Sequence, residues 1–296
     1  MDLSIIIPAK NEANNLAVLL PKIKKLYPDA ELIVVDDGSS DATGDVARDN
    51  GAICVQHHIS LGNGAAIKSG ARAAHGRILV FLDGDGQHNP DDIEKLLNHK
   101  QNGIDMVIGA RDNKSQATPF RLIANKFYSK FASLMTGRNI LDLTSGFRVV
   151  DARKFRQFLY LLPNGFSYPT TITMAFMRNG YTVDYLPIRA LKREGESKIN
   201  IWKDGIRFLL IIMKIGSLFS PMRLFLPISF ILFVTGVSYY AYTYMHFERF
   251  TNMSALLLTS SLLVFLIGIV SEQISSLHYR NIDNDRLNEY RKDDVE

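Results

Sequence analysis

Cysteine is nearly absent from this sequence. Cys54 is the single thiol among 296 residues, which excludes an intramolecular disulfide framework and a metal cluster made of several cysteines. Its apolar surroundings indicate a small packed side chain in a strand. Other residue types must therefore stabilise the fold and supply any catalytic or metal-binding groups.

A strong excess of charge of one sign is also absent. The formal net charge is +4, without the concentrated basic face and interleaved aromatic rings that are typical of nucleic-acid-binding proteins. We therefore expect no nucleic-acid partner. Mild basicity does suit a protein that lies on an anionic membrane.

The beginning of the sequence has no charged and apolar leader with a cleavage site. Residues 1–3 lead directly into the apolar run Ile5, Ile6 and Ile7, which predicts a strand. The N-terminal part is therefore expected to stay in the cytoplasm.

Charged residues are almost missing from two long stretches, residues 224–245 and 253–271. Each approaches the ~20 residues that a helix needs to cross a bilayer. A buried core helix has a similar composition, but two such stretches separated only by residues 246–252 favour a helical hairpin in the membrane.

Basic residues predict the orientation of this hairpin. They precede the first stretch and follow the second, whereas the connecting loop carries one Arg and one Glu. Because cytoplasmic flanks of membrane helices are enriched in Lys and Arg, both termini are expected in the cytoplasm. The basic residues are Lys203, Arg207, Lys214, Arg223, Arg280, Arg286, Arg291 and Lys292.

The first two hundred residues alternate short apolar strands with amphipathic helical stretches. This pattern is typical of an α/β domain, in which a largely parallel sheet is covered by helices on both faces. Strands are predicted at residues 3–7, 31–35, 52–56, 77–82 and 105–109, and helices at 12–26, 65–74 and 91–101.

Three of the predicted strands end in acidic or polar clusters, at residues 8–12, 36–39 and 83–85. A single Asp-Gly-Asp segment is compatible with an ordinary solvated turn. Ligands of open α/β sheets, however, bind outside the carboxyl ends of the strands, so three such clusters favour one shared site. The carboxylates of Asp83 and Asp85 repel each other, and a divalent cation or a ligand is their expected partner.

Two other patterns in this region do not support a binding site. Residues 62–70 resemble a phosphate-binding loop but lack the GxxxxGK[ST] spacing. His57 and His58 have no third ligand at a suitable spacing, so a structural role is favoured over metal binding.

Five segments occur in a specific order: IIPAKNE at 6–12, VDDGSSDAT at 35–43, DGDGQHNP at 83–90, SGFR at 145–148 and REGESK at 193–198. Together they resemble the family 2 glycosyltransferases of GT-A fold, and within them the polyprenyl-phosphate glycosyltransferases related to dolichol-phosphate mannose synthase. The resemblance covers most of the chain and is specific for fold and class, not for the sugar. It implies a Rossmann-like GT-A catalytic domain with a mostly parallel sheet.

The resemblance also implies an activity: inverting transfer of a sugar from a nucleotide-diphosphate sugar to a membrane polyprenyl phosphate. Asp83, Asp85 and Gln87 are then expected to hold Mg²⁺ or Mn²⁺, ions that prefer hard oxygen ligands. The ion would stabilise the negative charge on the departing diphosphate. The residues expected to bind the nucleotide-sugar are Pro8, Ala9, Asn11, Glu12, Asp36, Asp37 and Asp83.

The acceptor of that family is already an anion, since a phosphate monoester has its second pKa at ~6. A site for two anionic reactants needs cations more than a strong general base. The catalytic residues that the resemblance implies are Asp85, Arg121, Ser145, Arg148, Arg193 and Lys198, with Ser145 donating a hydrogen bond. For Arg121 the alternative is the solvated end of an amphipathic helix.

Two places depart from the family pattern. Residues 167–173 lack the acidic residue that the family often places after Gly165 and Phe166, and Lys10 stands where an aromatic residue is common. The first departure bears on the choice of sugar and the second on how the base packs.

The resemblance and the hydropathy pattern together predict four segments. Residues 1–198 form the catalytic domain, 199–221 an amphipathic interfacial helix, 222–277 a pair of transmembrane helices and 278–296 a cytoplasmic tail. A core helix of the soluble domain is the alternative for the second segment. The transmembrane helices are also the expected surface for a homo-oligomer.

Two other functions stay open at this stage. A glycosyltransferase that acts on a growing glycan or another lipid has the same fold, although two spans offer little for a translocation channel. A catalytically inactive membrane scaffold that binds nucleotides is the other alternative. The intact segments 83–85 and 193–198 argue against it.

Overall fold

The computed structural model describes residues 2–111, 129–133, 136–165, 167–188, 213, 216–217 and 220–293, with side chains described as far as Leu277. The chain forms two compact units. One comprises Met1–Ser133 and Arg138–Ile199, and the other comprises Leu134–Gly137 and Asn200–Glu296.

The first unit contains a sheet and its covering helices. Its strands are β1 (Leu3–Ala9), β2 (Glu31–Asp36), β3 (Ile53–Gln56), β4 (Ile78–Phe81), β5 (Met106–Arg111), β6 (Arg148–Asp151) and β7 (Val183–Ile188). Its helices are α1 (Ala13–Leu26), α2 (Thr43–Asp49), α3 (Asn63–Ala73), α4 (Asp92–Lys100), α5 (Ala152–Arg156) and α6 (Tyr168–Arg178).

The seven strands form one sheet in the order β3-β2-β1-β4-β6-β5-β7. Strands β1 to β4 are mutually parallel where they pair, and β5 pairs in parallel with β7. Strand β6 runs antiparallel to both of its neighbours, β4 and β5. The predicted α/β class with a mostly parallel sheet is therefore confirmed.

Apolar residues of the central strands and of α1 form the core. Ile5, Ile7 and Val80 of the strands are fully buried, and α1 packs its predicted apolar face, Leu16, Leu19, Leu20 and Ile23, against the same cluster. Burial of each large aliphatic side chain stabilises the fold by about 1.5–3 kcal/mol. This core holds the strand ends in fixed register.

The second unit contains two long helices, α7 (Pro221–Phe247) and α8 (Asn252–Asp293). Helix α7 and the part Asn252–Leu277 of α8 are long and apolar enough to cross a membrane. Only 11% and 17% of their most apolar windows are buried inside the protein, which is unlike a soluble core helix. The apolar surface that remains is suited to lipid.

Small residues bring the two long helices together. The hydroxyls of Ser229 and Ser261 each donate to the other's backbone carbonyl, at 3.0 and 2.9 Å. Gly236 lies against Leu257 and Leu258, where an added Cβ would approach their side chains to 3.1 Å. Close helix contact through small residues and serine hydroxyls is typical of membrane helix pairs.

Candidate active site

The carboxyl ends of β1, β2 and β4 lie side by side. Ala9 pairs with Asp36 in the register of β1 and β2, and Ile6 of β1 pairs with Phe81 of β4. The Asp37 amide donates to the Ala9 carbonyl at 2.9 Å. The structure thus brings the three polar clusters to one edge of the sheet.

Asn11 and Glu12 connect the β1–α1 turn to the β2–α2 turn. Asn11 has a left-handed backbone, with φ of 56°, which Asn tolerates better than most residues. Its Oδ1 accepts from the Ser40 amide at 2.8 Å, and the Glu12 amide donates to Thr43 Oγ1 at 3.0 Å. Pro8 and Ala9 are buried beneath this turn.

Asp36 and Asp37 both accept hydrogen bonds from the protein itself. Asp36 is buried, and its Oδ1 accepts from the Ser39 amide at 2.9 Å. Asp37 accepts from four donors, which lie in the loop that follows β3. Burial alone would raise the pKa of Asp37, but the hydrogen bonds, that of His57 foremost, hold it below its ordinary value.

The turn after β4 presents Asp83, Asp85 and Gln87, all partly exposed. The Asp85 carboxylate accepts from the Gln87 amide at 3.1 Å. Gly86 has φ of +72°, a left-handed conformation that favours glycine. The predicted metal ligands are therefore held by one short, defined turn.

Asp83 lies beside Gly146, with its side chain 33% exposed. A Cβ at Gly146 would approach Asp83 Oδ2 to 2.7 Å, so only glycine leaves room for the carboxylate there. Burial would raise the pKa of Asp83, but nearby His88, Arg111 and Arg148 hold it below its ordinary value. Asp83 is thus an anion at neutral pH and suited to a cationic ligand.

The donor set fits a divalent ion that is shared with a substrate. Within the described ranges, no group of three or more His, Cys, Asp or Glu side chains is arranged to hold a metal. Mg²⁺ usually binds one or two carboxylates together with waters and substrate phosphates, and not a complete protein cage. Two carboxylates and an amide at the strand end match that type of site.

Arg111 and Asp142 form an ion pair at the same edge, which the sequence interpretation did not identify. Arg111 Nε and Nη2 lie 2.9 and 3.1 Å from the two Asp142 oxygens, and Nη2 also donates to Thr144. Burial would lower the pKa of Arg111, but Asp142, Asp83 and Asp85 raise it. The only sequence feature that could have indicated this pair is the position of Arg111, a basic residue at the end of strand β5.

Ser145 and Arg148 lie beneath this edge. Ser145 Oγ donates to the Gly109 carbonyl at 2.6 Å, and Arg148 is 0% exposed. Arg148 donates to the carbonyls of Ser145 and Pro169 and to Thr173 Oγ1, and burial lowers its pKa. The Ser145 side chain thus bonds to β5 and the Arg148 side chain to helix α6, and the predicted roles of both residues at an acceptor remain predictions.

Another loop packs against the N-terminal end of α3. The Ala65 amide donates to the Asn164 carbonyl at 3.1 Å, and Lys68 Nζ donates to Asn164 Oδ1 at 2.6 Å. A Cβ at Gly64 would lie 2.0 Å from the Pro163 carbonyl oxygen. The loop at 163–165 therefore requires glycine at the start of α3.

Three predicted catalytic residues, Arg121, Arg193 and Lys198, lie outside the described residues. Their roles remain predictions. Most of the predicted interfacial helix, residues 199–221, lies outside the described ranges as well.

Two families match the chain. Residues 4–159 match Glycosyl transferase family 2, and residues 220–277 match the GtrB C-terminal hairpin. The polyprenol monophosphomannose synthase of Mycolicibacterium smegmatis is 31% identical over 66% of this chain and 80% of that protein. The undecaprenyl-phosphate mannosyltransferase of Micrococcus luteus is 31% identical over 66% of this chain and 86% of that protein.

A third relative extends over both units. Glycosyltransferase AglJ of Haloferax volcanii is 27% identical over 93% of this chain and 94% of that protein. Among solved structures, glucosyl-3-phosphoglycerate synthase from Mycobacterium tuberculosis, in complex with Mn²⁺, UDP-glucose and phosphoglyceric acid, has a TM-score of 0.60. It is 20% identical and covers 73% of this chain and 79% of that chain, a likeness of fold.

Proposed function

This chain belongs to glycosyl transferase family 2, and on that premise we propose that it transfers a sugar from a nucleotide-diphosphate sugar to a membrane polyprenyl phosphate. The observation that carries the proposal is the turn with Asp83 and Asp85 at the end of β4, beside the polar ends of β1 and β2. The names of two relatives, a polyprenol monophosphomannose synthase and an undecaprenyl-phosphate mannosyltransferase, support the acceptor class.

The proposed reaction forms one bond and breaks one. A phosphate oxygen of the acceptor attacks the anomeric carbon of the sugar, and the bond from that carbon to the diphosphate breaks with inversion. The products are a polyprenyl-phosphate sugar and a nucleoside diphosphate. Because the acceptor is already an anion, the main demands on the site are charge compensation and alignment.

Asp83, Asp85 and Gln87 are the residues that would hold Mg²⁺ or Mn²⁺. When bound, the ion would supply charge stabilisation to the departing diphosphate. Arg111 provides a fixed cation at the same edge, because Asp142 and Thr144 hold its guanidinium in one orientation. Arg121, Arg193 and Lys198 are proposed to supply the remaining positive charge for the acceptor phosphate.

We propose that the two long apolar helices of the second unit span a membrane. The two helices that are apolar enough to span a bilayer coincide with the match to the GtrB C-terminal hairpin. We propose the catalytic domain at 1–198, the interfacial helix at 199–221, the hairpin at 222–277 and the tail at 278–296. Both termini are proposed to be cytoplasmic, and the hairpin is the proposed surface for a homo-oligomer.

A donor panel tests the proposal. Membranes that contain the full-length protein are incubated with labelled GDP-mannose, UDP-glucose or UDP-N-acetylglucosamine and with polyprenyl phosphate. We expect label in the lipid extract with one donor. Label in a growing glycan instead would favour a different acceptor, and nucleotide binding without turnover of any donor would favour an inactive scaffold.

A further inference from the structure

Arg148 is a fully buried cation whose hydrogen-bond partners are all uncharged. Its Nη1 donates to the Pro169 carbonyl and to Thr173 Oγ1, at 3.3 Å each, and its Nη2 donates to the Ser145 carbonyl. Within the described part of the chain, Nε has no hydrogen-bond partner. Because a guanidinium keeps its proton at neutral pH, a positive charge is buried here without a bonded counter-charge.

A buried charge is costly, and its usual partner is a group of opposite charge. Helix α6, which covers the guanidinium, provides carbonyls and hydroxyls instead, since residues 167–178 include no Asp or Glu. The Tyr168 ring adds a cation–π contact, with Arg148 Cζ 5.7 Å from the ring centroid. These neutral groups replace the solvent around the guanidinium but leave its charge uncompensated.

The carboxylates that Arg148 does influence lie at the carboxyl edge of the sheet. Burial lowers the pKa of Arg148, whereas nearby groups that include Asp142 and Asp83 raise it. Asp142 already forms a two-bond ion pair with Arg111. The electrostatic effect of Arg148 therefore reaches Asp83, a predicted metal ligand, through the protein interior, where charges interact more strongly than in water.

Arg148 also fixes the backbone against which Asp83 lies. It donates to the Ser145 carbonyl, and Tyr168 Oη donates to the next carbonyl, that of Gly146, at 3.5 Å. A Cβ at Gly146 would approach Asp83 Oδ2 to 2.7 Å, so the carboxylate packs directly on this glycine. The position of Gly146 thus limits where the Asp83 side chain can point.

We propose that Arg148 is a positioning residue for the departing nucleoside diphosphate. It holds Ser145 and Gly146 against Asp83, and its positive charge stabilises the diphosphate from beneath the edge of the sheet without touching it. The lack of a carboxylate in α6 leaves this charge available to the site. The inference rests on the proposed function, because it assumes that a diphosphate departs beside Asp83.

The alternative is a purely structural role, in which Arg148 only connects β6 to α6. The two roles differ in the expected effect of an added counter-charge. A carboxylate beside the guanidinium would stabilise the fold in both cases, because it would pair with a buried cation. Only in the proposed role would it also weaken the binding of a diphosphate.

Two pairs of variants isolate the charge. Thr173 is 0% exposed and its Oγ1 is bonded to Arg148, so Thr173→Asp and Thr173→Asn both place an oxygen beside the guanidinium. The two replacements have nearly the same size, and only Asp adds a negative charge. In the second pair, Arg148→Lys keeps the positive charge and Arg148→Met removes it.

Calorimetry on the full-length protein in detergent measures the Kd of GDP and of UDP at pH 8 with Mn²⁺, alongside kcat, donor KM and thermal unfolding. Relative to Thr173→Asn, we expect Thr173→Asp to raise the Kd of the nucleotide that the wild type binds by about tenfold and to lower kcat by about tenfold. Its unfolding midpoint should equal or exceed that of Thr173→Asn. Thr173→Asn itself should stay within about threefold of wild type in Kd and kcat.

The donor KM should change less than the Kd in Thr173→Asp. A released nucleoside diphosphate carries more negative charge than a nucleotide-sugar, because its terminal phosphate loses a second proton above pH ~6. In the second pair, Arg148→Lys should bind the nucleotide about tenfold more tightly than Arg148→Met. Such a rescue by charge is not expected of a residue that acts only through packing.

Equal nucleotide affinity within both pairs of folded variants would overturn the inference. A lower unfolding midpoint in Thr173→Asp than in Thr173→Asn, with a matching loss of affinity, would also overturn it, since general destabilisation would then explain the loss. A wild type that binds GDP or UDP but forms no lipid-linked sugar contradicts only the proposed acceptor. A wild type that binds neither nucleotide contradicts both proposals.

Discussion

Asp85 lies in the turn after β4 with a partly exposed side chain, so its removal should affect chemistry more than folding. We predict that Asp85→Asn lowers kcat by more than about 100-fold, because one ligand of the proposed ion and its charge are lost. The thermal unfolding midpoint should stay near that of wild type.

Asp184→Asn is the control for this variant. Asp184 is an exposed residue of β7 whose partner is His99, and its replacement should leave kcat unchanged. Near-normal turnover in folded Asp85→Asn would remove Asp85 from the mechanism.

We predict that the ionisation of Asp142 makes the stability of the fold depend on pH. Burial would raise its pKa, but Arg111 and the backbone donors hold the folded value below the ordinary one. The stabilisation is therefore complete above pH ~4 and is lost as the pH falls through the lower folded value. Asp142→Asn should lower the free energy of unfolding at pH 7 by about 3 kcal/mol, because it leaves Arg111 without its partner.

Denaturation followed between pH 7 and pH 3 checks this expectation: the difference between wild type and Asp142→Asn should shrink toward pH 3. Asp2→Asn is the matched control, since Asp2 and Arg77 form the same two-bond geometry on the exposed surface and surface pairs contribute little. A constant difference across the range would contradict the assignment.

The sequence predicted some residues of the candidate site and did not predict others. It predicted Asp83 and Asp85 as metal ligands, because carboxylates after an apolar strand form a local pattern, and the family resemblance added Gln87. It missed Arg111 and Asp142, because the two residues are far apart in sequence and meet only through the pairing of β5 with β6. The burial of Arg148 is likewise a consequence of long-range packing.

At the scale of elements, helix α3 packs against loop 163–165 and follows Gly62, whose amide donates to the expected nucleotide-binding residue Asp37. Gly64→Ala places a Cβ 2.0 Å from the Pro163 carbonyl oxygen, so loop 163–165 must move. We predict a loss of about 1–3 kcal/mol in the free energy of unfolding and a higher donor KM. Chemical denaturation and initial rates measure the two effects.

Gly165→Ala is the control within the same loop. An added Cβ at Gly165 meets no described atom within 4 Å, so stability and donor KM should stay near wild type. Equal behaviour of the two alanine variants would show that the loop is not packed against α3 as described.

Strand β6 illustrates what the sequence did not reveal at this scale. It has four residues, Arg148–Asp151, with charged residues at both ends, and so lacks an apolar run long enough to predict a strand. It forms because β4 and β5 both pair with it. The predicted parallel strands, by contrast, each contain at least three consecutive apolar residues, and their positions were correct to within one or two residues.

For the whole molecule, the proposed topology predicts which side of the membrane each segment faces. In a Cys54→Ala background, Arg249→Cys in the loop should react with an impermeant maleimide from outside intact cells. Asn288→Cys in the tail should react only after permeabilisation. Labelling of both positions from the same side would contradict two spans with cytoplasmic termini.

Wild-type protein with Cys54 retained is the background control. Burial raises the pKa of the Cys54 thiol, which lowers its thiolate fraction, so it should label slowly under the same conditions.

The two units differ in how directly the sequence predicts them. The hairpin follows from apolar length and the scarcity of charge within residues 224–271, which are local properties. The order of strands in the sheet depends on tertiary pairing, which no local pattern of the sequence predicts. The identity of the sugar depends on contacts that neither local pattern nor fold class specifies.

Sugar transfer to polyprenyl phosphate is tested by the product stoichiometry of the purified full-length protein. Labelled donor is supplied with polyprenyl phosphate, and the released nucleoside diphosphate and the lipid-linked sugar are quantified together. We expect equal amounts of both products, and neither product when polyprenyl phosphate is omitted. Release of nucleoside diphosphate without lipid-linked sugar, or no product with any donor of the panel, would contradict it.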